Sequence, residues 1–284
     1  KDYPIVEFND FSSNPKKEDV DKGVFLFKHS NMDTIVSVGG GSCIDMAKLI
    51  RYYYIRNSDN TNKSIPLVGI ICPEFTFFNN RNLTACTGFD ALAQAIEAYW
   101  NVNATLDSDK LAIKAIKNLL KPLELLVNNL GDKILRSKVA EGASFAGQAI
   151  NITRTTAPHA MSYTLTSLYK YPHGHAVALT FPYFFQENLL CTQANYEGDN
   201  YNYYQSKMLY FRGYINKMNN DIITDRQLFA YMKRYTKNLG LGYDSKRKID
   251  ISEVINGINM QRAKNNPRKL DKDIIKAATE SILI

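Results

Sequence analysis

Between residues 159 and 175 the chain reads HAMSYTLTSLYKYPHGH, so three of its four histidines, His159, His173 and His175, fall in one short segment. Imidazoles this close are either metal ligands or satisfied side chains of a tyrosine-rich stretch, and residue type alone leaves both readings open. His159 follows Thr155-Thr156-Ala157-Pro158, the pattern of a helix that starts with proline in its first turn. His173 lies past that helix, after Pro172; a helix that leaves a site and a loop that returns to it would let the two rings meet. A carboxylate is the natural third partner. In TGFDALAQAIEAYW, Asp90 and Gln94 are four apart and share one helix face, with Glu97 three further on. Asp90 is either a first-turn acid that complements the helix dipole or, with the two histidines, part of a carboxylate and two-imidazole site for a divalent cation. Ala91, Leu92, Ala95 and Ile96 make the rest of that helix apolar, which leaves a narrow polar face suited to lining a cleft.

A second constellation is Gly39, Gly40, Gly41 and Ser42, between the β-branched run DTIVSV and a helix that carries Asp45 and Lys48. Three glycines there let the backbone turn tightly beside a pyrophosphate, which would lie on the free N–H groups of the helix N-terminus. The pattern is not GxGxxG, and a glycine-rich turn without a ligand is the competing reading.

The elements that must hold these groups change texture along the chain. Residues 4–9, 33–38 and 65–72 read as strands, separated by amphipathic stretches, the alternation of an α/β fold with a parallel sheet. From Arg81 onward the stretches FDALAQAIEAYW, KLAIKAIKNLLKPLELLVNNL, ILRSKVAEGASFAGQAI and DRQLFAYMKRYTKNLGL show helical periodicity. The expected division is an α/β portion over residues 1–80 and an all-helical portion over residues 81–284.

Composition narrows the function classes. With 284 residues, 45% hydrophobic and 22% charged, the chain has enough apolar material for a sizeable core. No apolar run reaches spanning length, and KDYPIVEFND lacks the pattern of a signal peptide, so a cytoplasmic protein that meets no membrane is expected. Cys43, Cys72, Cys86 and Cys191 have no CxxC spacing and read as buried small side chains. The net charge of +7 is spread over mixed-sign stretches such as DSKRKID. That argues against a nucleic-acid partner and for attraction of anionic cofactors or substrates.

Taken together, FSSNP, VGGGSCIDMAK, TACTGFDALAQAIEAYW, PHAMSY, YPHGHAVALTFP and NNPRKL resemble, in that order, the iron-containing (group III) alcohol dehydrogenases. The resemblance implies the dehydroquinate synthase-like fold: an N-terminal dinucleotide-binding α/β domain and a helical metal and substrate domain. It implies NAD(P)H and a divalent metal, Fe(II) or Zn(II), as cofactors, an alcohol or aldehyde as substrate, and a homodimer. By position, Asp90, His159 and His173 match metal ligands. Gln94 stands where iron-dependent members have a histidine, and an amide is the poorer ligand. Gly39, Gly40, Gly41, Ser42 and Asp45 match the cofactor turn and its helix, and His175 is the candidate proton relay. Family members carry a further strand and helix before YPIVEFN and further residues where Ile70 here meets Ile71, so the dinucleotide-binding part is expected to lack both. The combination of TTAPHAMSYTLTS, YPHGHA and GFDALAQAIEAYW is similar to the phosphonoacetaldehyde reductases of phosphonate biosynthesis, which implies reduction to 2-hydroxyethylphosphonate. Arg154, Lys170 and His175, near the expected site, are either cations that contact the phosphonate or plain surface residues. The alternatives are a cyclase of the dehydroquinate synthase type and a non-catalytic homologue that has lost its cofactor.

Overall fold

Helices dominate the computed structural model, which describes residues 4–12, 16–56, 65, 70–258 and 260–284. Its contacts divide the chain into two units, Lys1–Ile70 and Ile71–Ile284.

In the first unit, α1 (Lys17–His29) packs against α2 (Gly41–Arg56) through Val20, Met46 and Ile50, with Phe8, Phe11 and Phe27 around them. Gly23 permits the close approach, since a Cβ there would sit 2.4 Å from the Ile50 side chain. The parallel sheet expected here is not found: among the described residues no strand forms. Residues 4–9 and 33–38 join no ladder, and 66–69, the middle of the third run, lie outside the described residues. A strand exists only through bonds to a neighbour, and a parallel strand needs both faces covered. Here Ile35 packs against the α1–α2 core, but Ile5, Val36 and Val38 are 81%, 79% and 69% exposed, so the second face that a buried parallel strand needs is not covered.

The second unit is a helical assembly centred on α3 (Arg81–Trp100), which packs against α4 (Leu106–Asn128), α5 (Lys133–Thr153) and α7 (His173–Leu189). Helix α3 starts where the Asn80 side chain accepts from the Leu83 N–H, and Phe89, Leu92, Ile96 and Trp100 are fully buried along it. Each such side chain contributes roughly 1.5–3 kcal/mol by leaving water. Asp132 caps α5 through the Ile134 and Leu135 N–H groups, and a Thr105/Ser108 capping box opens α4. Phe181 of α7 meets Phe89 edge-on at 5.3 Å and stacks on Trp100 at 5.5 Å, which ties α7 to α3. Helices α8 (Tyr201–Asn219) and α9 (Leu228–Asn238) complete this core, with Phe211, Met232 and Tyr235. A second cluster joins α6 (Ala157–Ser167), α7, α10 (Ile251–Asn256) and α12 (Lys272–Glu280) through Met161, Leu165, Phe184, Val254 and Ala278. The short α11 (Met260–Ala263) lies against α6.

Sequence periodicity names neither α7 nor α8. Helix α7 is apolar on nearly all sides, so no polar face marks its period, and α8 is dominated by tyrosines that serve both surface and core. The four cysteines are free; Cys86 and Cys191 are buried, while Cys43 and Cys72 are partly exposed. No helix among the described residues is long and apolar enough to cross a membrane.

Candidate metal centre

Three helix segments bring the chemistry together. Asp90 projects from the middle of α3, His159 from the first turn of α6, and His173 is the first residue of α7. Helix α6 runs away from Asp90 and residues 168–172 return the chain, so both imidazoles sit at helix N-termini facing one carboxylate. One ligand atom from each of Asp90, His159 and His173 lies within 4.8 Å of the other two. Asp90 Oδ1 is 3.1 Å from His159 Nε2 and 3.7 Å from His173 Nε2, and the two rings meet edge-on at 5.4 Å.

The close fit depends on Gly174. A Cβ there would fall 1.9 Å from the Cys86 carbonyl oxygen and 3.0 Å from Asp90 Cβ, so only glycine lets the start of α7 press against α3. Ser162, buried on α6, donates to the His159 carbonyl at 2.8 Å, and its oxygen faces His173 Nδ1 at 3.5 Å. With the hydroxyl proton so engaged, the oxygen can only accept from His173, and the tautomer with Nδ1–H is the one that frees the Nε2 lone pair for a cation.

Gln94, one turn after Asp90, donates from Nε2 to Asp90 Oδ2 at 3.2 Å, so it steadies the carboxylate. His175 is turned elsewhere: its Nε2–H donates to the Gly242 carbonyl at 2.8 Å and its ring packs on Tyr171. Lys170 Nζ donates to the Ser167 carbonyl, and Arg154 closes α5 with a positive φ of 68°. In the first unit, Gly39 adopts φ 154°, where a Cβ would meet Cys43 Sγ at 2.6 Å, while Gly40 and Gly41 have open space beside them. Ser42 follows in the first turn of α2, and Asp45 forms an exposed pair with Lys48 at 3.5 Å.

Glu97 is given no role by sequence reasoning, yet it is fully buried and its Oε1 lies 2.5 Å from His159 Nδ1. The available signal was its spacing: seven residues after Asp90, it lies two turns on along the same face of α3. Burial works against a charge on His159, but Glu97 and Asp90 outweigh it and raise the imidazole to about 10. Burial lowers the pKa of His173, with Asp90 opposing, and burial also lowers that of His175. One carboxylate oxygen and two imidazole nitrogens, beside a second buried carboxylate, fit a divalent cation such as Zn(II) or Fe(II) in both donor type and charge.

Comparison with known proteins agrees across both units. Residues 84–283 match the family described as "Fe-containing alcohol dehydrogenase family, C-terminal", and residues 1–72 match "Iron-containing alcohol dehydrogenase". The chain is similar to long-chain-alcohol dehydrogenase 1 of Geobacillus thermodenitrificans, at 28% identity over 64% of this chain and 58% of that protein. It is also similar to 1,3-propanediol dehydrogenase of Citrobacter freundii, at 29% identity over 66% of this chain and 60% of that protein. The chain thus spans less than two thirds of the length of these relatives. Among solved structures, a sulfoacetaldehyde reductase from Bifidobacterium kashiwanohense in complex with NAD+ superimposes with a TM-score of 0.77 over 97% of this chain and 82% of that one, at 22% identity, a likeness of fold.

Proposed function

The chain belongs to the iron-containing alcohol dehydrogenase family, and from that premise we propose that the intact protein is a metal-dependent, NAD(P)H-linked aldehyde reductase or alcohol dehydrogenase. The single observation that carries the reading is the convergence of Asp90, His159 and His173 on one point. In this reading those three residues hold a divalent cation, with Gln94 orienting Asp90 through its amide. Residues 1–80 form the dinucleotide-binding part, where Gly39, Gly40, Gly41 and Ser42 at the start of α2 receive the pyrophosphate. Residues 81–284 form the metal and substrate part. When bound, the cation supplies Lewis acidity to a carbonyl or alkoxide oxygen and the nicotinamide supplies a hydride. The chain's own contribution is orientation: Asp90 and the two histidine Nε2 atoms face one point, and the ring of Tyr163, 6.0 Å from that of His173, borders it. His175, bonded to the Gly242 carbonyl, anchors the first turn of α7 rather than carrying the product proton, which we assign to solvent.

For the substrate we propose a small aldehyde with an anionic group, of which phosphonoacetaldehyde is the leading case. The support is the net charge of +7 and the fold likeness to a reductase of sulfoacetaldehyde, itself a small anionic aldehyde. The test is NAD(P)H oxidation by the full-length protein with phosphonoacetaldehyde, sulfoacetaldehyde and uncharged aldehydes, after chelation and after adding back Fe(II) or Zn(II). Turnover restored by metal, with preference for the anionic aldehydes, is the expected result. Full activity in a protein stripped of all metal would remove the Lewis-acid role.

A further inference from the structure

The most heavily bonded group beside the site is one that this reading leaves without a task. Glu97 is wholly buried in α3, and its carboxylate takes part in three hydrogen bonds with only two residues, His159 and Thr156. Its Oε2 accepts from the Thr156 N–H at 2.6 Å and from the Thr156 hydroxyl at 2.8 Å. The same hydroxyl oxygen accepts from Trp100 Nε1 at 3.1 Å. Among the described residues Oε1 faces only His159 Nδ1, at 2.5 Å. Among the described residues no lysine or arginine pairs with this carboxylate; its one ionic partner is the His159 ring. A buried charge without compensation is costly. The compensation for Glu97 must therefore come through the imidazole, from whatever occupies the far nitrogen.

We propose that Glu97 is a positioning residue for the metal: by holding the Nδ1–H of His159 it fixes the ring's tautomer and orientation, keeps the Nε2 lone pair aimed at the cation, and supplies the second negative charge that balances a divalent ion. The inference rests on the metal-centre reading above. Asp90 and Glu97, on one face of α3, together carry the two charges that such an ion brings, one in direct contact and one through His159. The Thr156 backbone N–H, which no side-chain change removes, pins Oε2, so the carboxylate cannot swing away from the ring; the hydroxyl ties the pair to Trp100. A histidine ligand whose other nitrogen is tied to a carboxylate is the more basic and better oriented donor.

Glu97→Gln keeps the volume and separates this role from a merely structural one. The amide oxygen must face the Thr156 N–H, so the NH2 group faces His159 Nδ1 and forces the ring proton onto Nε2, the nitrogen that should bind metal. Thr156→Val is the contrasting variant: it breaks the hydroxyl link between Trp100 and Glu97 but leaves the carboxylate against His159. Co(II) and Zn(II) affinities of the full chain are measured by chelator competition, alongside the Co(II) visible spectrum and the melting temperature of the metal-stripped proteins. Glu97→Gln is expected to weaken both ions about 10- to 100-fold with an altered Co(II) spectrum, while Thr156→Val lowers the melting temperature with affinity within about threefold of wild type. The role is overturned if Glu97→Gln binds as tightly as wild type, or if the two variants lose affinity in step with their loss of stability. Wild-type protein that binds neither ion would overturn the metal centre itself and this role with it, an outcome distinct from tight wild-type binding that is indifferent to Glu97.

Discussion

Asp90, His159 and His173 become neighbours only after folding, and each makes a different demand on its surroundings. Asp90 has one oxygen toward the histidines and the other held by Gln94. Substituting Asp90 or His173 by alanine is expected to abolish stoichiometric Zn(II) binding at micromolar metal while the helical circular dichroism stays; retained one-to-one binding in both would refute the assignment. Because His159 stays protonated in the metal-free protein up to about 10, a cation must displace that proton. Affinity should therefore rise with pH, about tenfold per unit between pH 6 and 8 for one released proton; a flat profile would contradict it. His173, whose pKa is lowered by burial, is already neutral in most of that window and adds no comparable slope. Far from the centre, Lys207 is buried with Asp109 at 2.9 Å and also donates to the Tyr99 carbonyl, while the Tyr203 hydroxyl donates to the same carboxylate. Burial depresses the Lys207 pKa and Asp109 supports its charge. Lys207→Met strands Asp109 and should cost about 3–5 kcal/mol in urea unfolding; a loss below about 1 kcal/mol would show the pair to be solvated.

At the scale of elements, the decisive contact is between α3 and α7. Gly174 is the second residue of α7, and a methyl group there collides with the Cys86 backbone, which cannot yield as a side-chain tip can. Gly174→Ala should displace the first turn of α7 and with it His173, so metal affinity falls at least as much as stability does; unchanged affinity would mean that the helix start adjusts freely. Deeper in the same interface Phe181 stacks on Trp100 and meets Phe89. Phe181→Ala leaves a cavity that should cost about 3–5 kcal/mol by thermal or denaturant unfolding. The periodicity of α3, α4, α5 and α9 is legible because each has a polar side, whereas α7 hides its period by being buried on nearly every side. The strands expected at 4–9 and 33–38 fail for the opposite reason: β-branched residues are legible, but the neighbour that makes a strand is not a local property.

Over the whole molecule, the second unit has its own apolar core, with α3 at its centre, and contains all three converging ligands. Residues 71–284 expressed alone are accordingly expected to melt cooperatively and to bind one Co(II); a non-cooperative transition would show that this core is not self-sufficient. Electrostatics also belongs to this scale, since a net charge of +7 acts at long range on any anionic molecule that approaches, as the substrate proposed above would.

By itself the sequence determined the family, through motifs kept in order, the helical character of most of residues 81–284, and three candidate ligands, because helix spacing and residue type are local quantities. Tertiary structure alone decided the rest. It turned His175 toward the Gly242 carbonyl although it lies only two residues beyond His173, since a helix rotates such positions to different faces. It drew Glu97 into contact with His159, and it made Gly174 a requirement rather than a flexible link, because both depend on how closely α3, α6 and α7 approach, which no single segment specifies.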